Sequence, residues 1–146
     1  MTGTETTTVG PVVPVVDDVD TGEFFAAAAR GELAVRQCAG CRADLHLPRE
    51  CCPHCGELSR TWRTVTPRGT LYSWTVVEHQ VHPAHPTPYT VVLVELDEAP
   101  TVRLLGHLDG RPSLTIGQPM VVEFVDVEGV RLPHWRPAAE EESDHE

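Results

Sequence analysis

All five cysteines of the chain lie in one stretch, QCAGCRADLHLPRECCPHCG, from Gln37 to Gly56. Thiolates are soft ligands, and four of them complete a tetrahedral site that selects zinc. Cys38-Ala-Gly-Cys41 and Cys52-Pro-His-Cys55 are two C-x-x-C pairs separated by ten residues. Each pair turns tightly enough to place both sulfurs on one ion, and Gly40 and Gly56 suit such turns. Two knuckles closed against each other make a four-sulfur site on Cys38, Cys41, Cys52 and Cys55, a zinc ribbon with one Zn2+ per chain. No position is left open for a reacting water, so the metal is expected to be structural.

Cys51 is the surplus thiol. Put in place of Cys52 it would lengthen the second pair to C-x-x-x-C. As a nucleophile it would need a base, His46 or His54, and a third group to orient that base. Nothing in the sequence gathers these groups, and a spare thiol beside a knuckle is the expected reading. His79, His82 and His85 recur every third residue, but Pro83, Pro86 and Pro88 forbid a regular helix. A proline-stiffened loop between strands is expected there rather than a second metal site, and such loops often make partner or ligand contacts. Tyr72 and Trp74 are expected on one strand face, where aromatic rings either fill a core or stack on bases or adenine. The patterns G-x-S-x-G, H-E-x-x-H and G-x-G-x-x-G are absent, as is a carboxylate pair of clear acid–base spacing.

The elements that must position these residues follow from composition and turn signals. Residues 1–19, with PVVPVV at 11–16, read as an extended or unstructured arm. Asp20 can cap a helix over EFFAAAAR that Gly31 ends, and the helical segment is placed at 20–35. The ribbon occupies 36–60. From 61 to 137 the texture is β. Strand-like runs are separated by turn signals at Pro67-Arg68-Gly69, Asp109-Gly110 and Glu128-Gly129. That spacing predicts a small antiparallel barrel. Residues 138–146 form an acidic tail expected to be disordered.

Net charge is -11, but residues 1–22 and 138–146 account for nine of these charges, leaving -2 for 23–137. Residues 36–68 are the basic sector, with six arginines against Asp44, Glu50 and Glu57; the sum of +3 falls to +1 once the zinc tetrathiolate is counted. All eleven basic residues besides histidine are arginine. The lack of lysine excludes Schiff-base and phosphate-loop lysine chemistry. The opening MTGTETTTVG has neither the basic start nor the apolar core of a signal peptide, and no apolar run is long enough to span a bilayer. A cytoplasmic protein without membrane attachment is expected.

The order of parts resembles the DUF35 family. A short helix in EFFAAAARGEL leads into RQCAGCRADLHLPRECCPHCG. Then come Trp62, GTLYSWTVV, PYTVVLVELDEAPTVRLLGHL, IGQPMVVEFV and LPHWRP. The family's four zinc ligands fall on Cys38, Cys41, Cys52 and Cys55. Its glycine before the second barrel strand falls on Gly69, and its turn on Ile116-Gly117. The resemblance covers about residues 20–137 and implies a mainly β protein: an N-terminal helix, a rubredoxin-like zinc ribbon and a five- to six-stranded antiparallel OB-fold barrel. It further implies a non-catalytic accessory subunit in a hetero-oligomer with a thiolase-like enzyme, a thiolase or an aldolase. Such a subunit helps hold or pass acyl-CoA thioesters in lipid, steroid or polyketide-type metabolism. A MaoC-type enoyl-CoA hydratase is the alternative partner. A nucleic-acid binder is the rival reading, but residues 69–137 hold four arginines against eight carboxylates, and a nucleic-acid groove needs the opposite balance. If CoA is held, its phosphates call for cations. The basic sector then suggests Arg63 and Arg68 for the phosphates, with Tyr72 and Trp74 for adenine or acyl chain.

Overall fold

The computed structural model describes residues 9–58 and 60–139. The acidic tail from residue 140 and the start of the arm lie outside them. Residues 9–21 of the arm contain no helix or strand, and Val12, Val15 and Val19 are exposed. Helix α1 spans Gly22–Ala29. It is shorter than the 20–35 segment read from sequence. Gly31, at φ +77°, takes the left-handed conformation, and the N–H groups of Gly31 and Glu32 donate to the carbonyls of Ala28 and Ala27. This closes the helix end and turns Leu33–Val35 into strand. At the other end Thr21, not Asp20, takes the N-cap position without a side-chain cap, and the Asp18 carboxylate orders the turn that leads into the helix. That carboxylate accepts from the Asp20 and Thr21 amides at 2.8 Å each and from the Thr21 hydroxyl.

Two antiparallel sheets follow. Strands β1 (Leu33–Cys38), β2 (Asp44–Leu45) and β3 (Arg60–Val65) form the first, in the order β2-β1-β3. Residues 61–65, read with the barrel from sequence, therefore pair with the ribbon strand β1, Leu33 opposite Val65 and Cys38 opposite Arg60. Strands β4 (Arg68–Val77), β5 (Tyr89–Leu96), β6 (Arg103–Asp109), β7 (Pro119–Val127) and β8 (Val130–Pro137) form the second, in the order β6-β5-β4-β7-β8. This is the five-stranded OB-like domain. Glu128 and Gly129, at φ +49° and +81°, make the two-residue turn between β7 and β8, and the glycine takes its left-handed position freely. A Cβ at Gly69 would clash with the backbone carbonyl of Glu95, so β4 and β5 approach here as only glycine allows.

The end strands β6 and β8 face each other across a seam with no ladder between them. Trp135 of β8 closes the seam by packing against the bare backbone of Gly106 on β6, where a Cβ would overlap its ring. One core runs through both sheets: Leu33, Val35 and Val65 of the first pack with Val92, Val94, Leu96, Met120 and Trp135 of the second. Phe24 of α1 packs against it. Among the described residues no helix is long and apolar enough to cross a membrane.

Candidate functional site

The four cysteines of the two knuckles converge at the ribbon tip. Cys38, Cys41, Cys52 and Cys55 place their sulfurs within 4.8 Å of one another. The Sγ–Sγ distances are 3.5 Å for Cys38–Cys55 and 3.7 Å for Cys41–Cys52. A zinc tetrathiolate with bonds of about 2.3 Å has edges of about 3.8 Å, so the cluster fits the ion with little adjustment. The amides of Gly40 and Cys41 point at Cys38 Sγ, and that of His54 at Cys52 Sγ. The Cys41 and Gly40 N–H bonds, with those from neighbouring thiols, lower the Cys38 thiol to about 6. Cys55 also accepts from the Glu57 amide, yet its closeness to Cys38 pushes it up to about 11. Four sulfurs this close do not all ionise unless a cation sits among them, which is what the zinc supplies. The zinc is structural. Cys51 is exposed and lies outside the cluster.

The twin knuckles differ in one respect. Each ends on a left-handed residue whose amide donates to the first cysteine's carbonyl, Arg42 to Cys38 at 3.0 Å and Gly56 to Cys52 at 2.9 Å. Gly56 has φ +77° and Arg42 φ +62°. Glycine reaches that region freely; arginine does so at a cost of about 1 kcal/mol. Gly40 serves for space rather than for dihedral freedom, since a Cβ there would press on Glu57 and Cys55 Sγ.

The basic sector is less free than its composition suggests. Arg36 is 1% exposed and donates to the carbonyls of Arg49 and Glu50, pinning the loop between the knuckles. Arg63 grips Asp44 with two bonds of 2.8 and 2.7 Å and donates to the Glu98 carbonyl at 2.8 Å. Its charge is spent inside the protein. Arg68 is exposed but lines a separate cleft with Ser113, Gln118 and Pro137. Tyr72 is exposed and carries the Arg103 guanidinium 3.8 Å above its ring. A register shift between Leu71 and Ser73 interrupts strand alternation, so Tyr72 and Trp74 do not share a face. Trp74 stands opposite Val92, which faces the core. Three arginines of the barrel are matched by carboxylates: Arg103 with Glu95, Arg111 with Glu78 and Arg131 with Asp126.

The histidine loop, residues 78–88 between β4 and β5, is irregular as expected. It folds over β6: the His85 ring lies 6.0 Å from that of His107, which lies 4.9 Å from Tyr89. Partial burial lowers the His107 pKa, opposed by Asp109 and reinforced by His85 and His134. Among the described residues the cysteines are the one cluster with metal-binding spacing.

Three cavities meet at the loop after β2. A cleft of about 730 Å3 on the ribbon is lined by Arg42, Arg49 and His54. A pocket of about 490 Å3 occupies the seam, walled by Phe25, Leu105, Leu132 and Trp135, with His107 and His134. A recess of about 130 Å3 runs inward past Phe24 to Arg36 and Trp62. His46 and Leu47 border all three. The seam pocket was not legible in the sequence, because it forms between an N-terminal helix, a ribbon loop and barrel strands remote from both. Arg42 left a trace: an arginine stands where the second knuckle has glycine.

Comparison with known proteins agrees with this architecture. Residues 25–59 match the family model described as ChsH2, rubredoxin-like zinc ribbon domain, and residues 62–125 that described as ChsH2, C-terminal OB-fold domain. A probable enoyl-CoA hydratase alpha subunit of Thermomonospora curvata is 39% identical over 128 residues, covering 84% of this chain and 39% of that protein. The 3-oxo-4,17-pregnadiene-20-carboxyl-CoA hydratase alpha subunit of Mycobacterium tuberculosis is 35% identical over 72 residues, covering 48% and 22%. The chain thus spans well under half the length of these curated relatives. Among solved structures, a chain of the Ltp2-ChsH2(DUF35) aldolase is 35% identical with a TM-score of 0.75. The match covers 86% of this chain and 100% of that one. A DUF35 protein from Sulfolobus solfataricus, 14% identical with a TM-score of 0.52 over 69% of this chain and 75% of its own, shares the fold.

Proposed function

Because the chain belongs to the DUF35 family, a ChsH2-type zinc ribbon joined to an OB-fold, we propose that it is a non-catalytic accessory subunit of a thiolase-like enzyme, helping to hold or pass acyl-CoA thioesters. The observation that carries this reading is the match of 86% of this chain to the whole of a chain of the Ltp2-ChsH2(DUF35) aldolase. That match places a closely similar chain in an enzyme of carbon–carbon bond chemistry. The site residues support the same division of labour. The zinc is fully coordinated by sulfur, and Cys51 has no hydrogen-bond partner among the described residues to act as its base. The pairing of three of the four arginines of residues 69–137 with carboxylates favours a protein or thioester partner over nucleic acid.

A hydratase partner is the second reading, favoured by the two relatives named as hydratase alpha subunits. Co-expression of the chain with a thiolase-like subunit and, separately, with a MaoC-type subunit decides between them. Co-elution and gain of carbon–carbon cleavage with the first supports the aldolase reading. Co-elution and hydration with the second alone would move the chain to the hydratase class. Turnover of acyl-CoA by the isolated, contaminant-free chain would remove the accessory role altogether.

A further inference from the structure

The ribbon cleft and the seam pocket lie on either side of one loop, and their walls are opposite in character. On the ribbon side Arg42 and Arg49 are exposed, and neither guanidinium has an ion-pair partner among the described residues. Asp44, the carboxylate in that wall, is neutralised by Arg63. Arg42 also occupies the left-handed position that glycine fills in the twin knuckle. An arginine held there against its backbone preference, with its charge free at a cleft mouth, is placed to meet an anion rather than to shape the turn. On the seam side Leu47 and Leu105 are each 69% exposed, and Phe25, Leu132 and Trp135 continue the apolar wall inward. A concave apolar surface of this size takes hydrocarbon.

We propose that the two cavities form one bipartite site for a single amphipathic ligand. Phosphates of a nucleotide carrier lie on Arg42 and Arg49 of the ribbon. The apolar acyl part lies in the seam between β6 and β8, and the linking chain crosses the rim at His46 and Leu47. The proposal rests on the reading of the chain as a holder of acyl thioesters and deepens it, assigning each half of the ligand to a face. It moves the anion site away from Arg63, which is occupied by Asp44, and from Arg68, which faces a different cleft.

The test splits the ligand. Zinc-loaded full chain is titrated calorimetrically with adenosine 3′,5′-bisphosphate, the head alone, and with decanoyl-N-acetylcysteamine thioester, the tail alone. Wild type is expected to bind both without competition. Arg42→Gly combined with Arg49→Ala should weaken the bisphosphate by roughly a hundredfold, about tenfold for each charge-assisted contact, and leave the thioester unchanged. Leu105→Glu should do the reverse, and Arg68→Ala should change neither. The proposal is overturned if wild type fails to bind either probe, if the probes compete, or if the double arginine variant with full zinc content keeps its bisphosphate affinity. No partner subunit is present in these titrations. A failure here therefore leaves subunit assembly untouched, and a failure of assembly leaves this result standing.

Discussion

In the barrel, Leu71, Val92, Val94, Leu96, Val102 and Met120 are each at most 1% exposed and pack in one cluster with Trp135 and the base of β1. In the ribbon tip the buried set is Cys38, Leu45 and Cys52, with Ala43 beside it. Full burial of one large aliphatic side chain contributes about 1.5–3 kcal/mol, so the barrel has many such contributions and the tip has hardly one that is not a metal ligand. A structural zinc on four thiolates contributes about 10–16 kcal/mol in comparable small folds. The tip is thus an ionic and coordinate structure mounted on an apolar one. Where side chains cannot exclude water from each other, the chain concentrates its order in four sulfurs and the carbonyls that Arg36 clasps.

Removing the metal is the strongest way to test that division. Chelation, or Cys52→Ser, should abolish zinc binding and hydrogen-exchange protection across residues 39–58 while amides of β4, β5 and β7 stay protected. Collapse of barrel protection at the same chelator concentration would show the two regions to be one cooperative unit. Cys51→Ser should leave one zinc per chain by metal analysis; loss of zinc there would reassign the second knuckle.

Next in size is the converse experiment. Trp135→Ala removes the buried ring that closes the seam and should cost about 3–5 kcal/mol in urea unfolding, with zinc content unchanged. A smaller effect is expected where the regions meet. Arg63→Met leaves the largely buried Asp44 carboxylate without its partner and should destabilise by about 1–3 kcal/mol. Pairing it with Asp44→Asn should recover part of the loss in a double-mutant cycle. Additive losses would mean that the pair contributes nothing as a pair. The smallest change is Arg42→Gly, which relieves the left-handed arginine while adding unfolded-chain freedom. It should alter the melting free energy by no more than about 1 kcal/mol, in the stabilising direction. A marked loss of stability would make Arg42 a structural residue of the knuckle.

Legibility in the sequence followed the range of the interaction. Knuckle spacing, the helix-ending Gly31 and the Glu128-Gly129 turn are local, and each was readable within a few residues. The pairing of Thr61–Val65 with β1 was not, because only contacts across the chain decide which sheet a strand joins. The single-residue shift after Leu71 was equally silent and undid the expected alignment of Tyr72 with Trp74. Composition marked residues 36–68 as basic, but not that Arg36 and Arg63 are internally engaged while Arg42 and Arg49 face outward.

The ladder between β1 and β3 has a further consequence. Cys38 and Arg60 are neighbours in it, so the segment between them leaves this ladder and returns to it at a single rung, with β2 folded back on β1 as its inner anchor. Topologically the zinc tip is a decorated hairpin loop, and lengthening such a loop adds only logarithmically to its closure entropy. A change of length between β2 and β3 therefore costs little closure entropy, and the barrel cluster beneath, which takes no residue from the tip, keeps its packing.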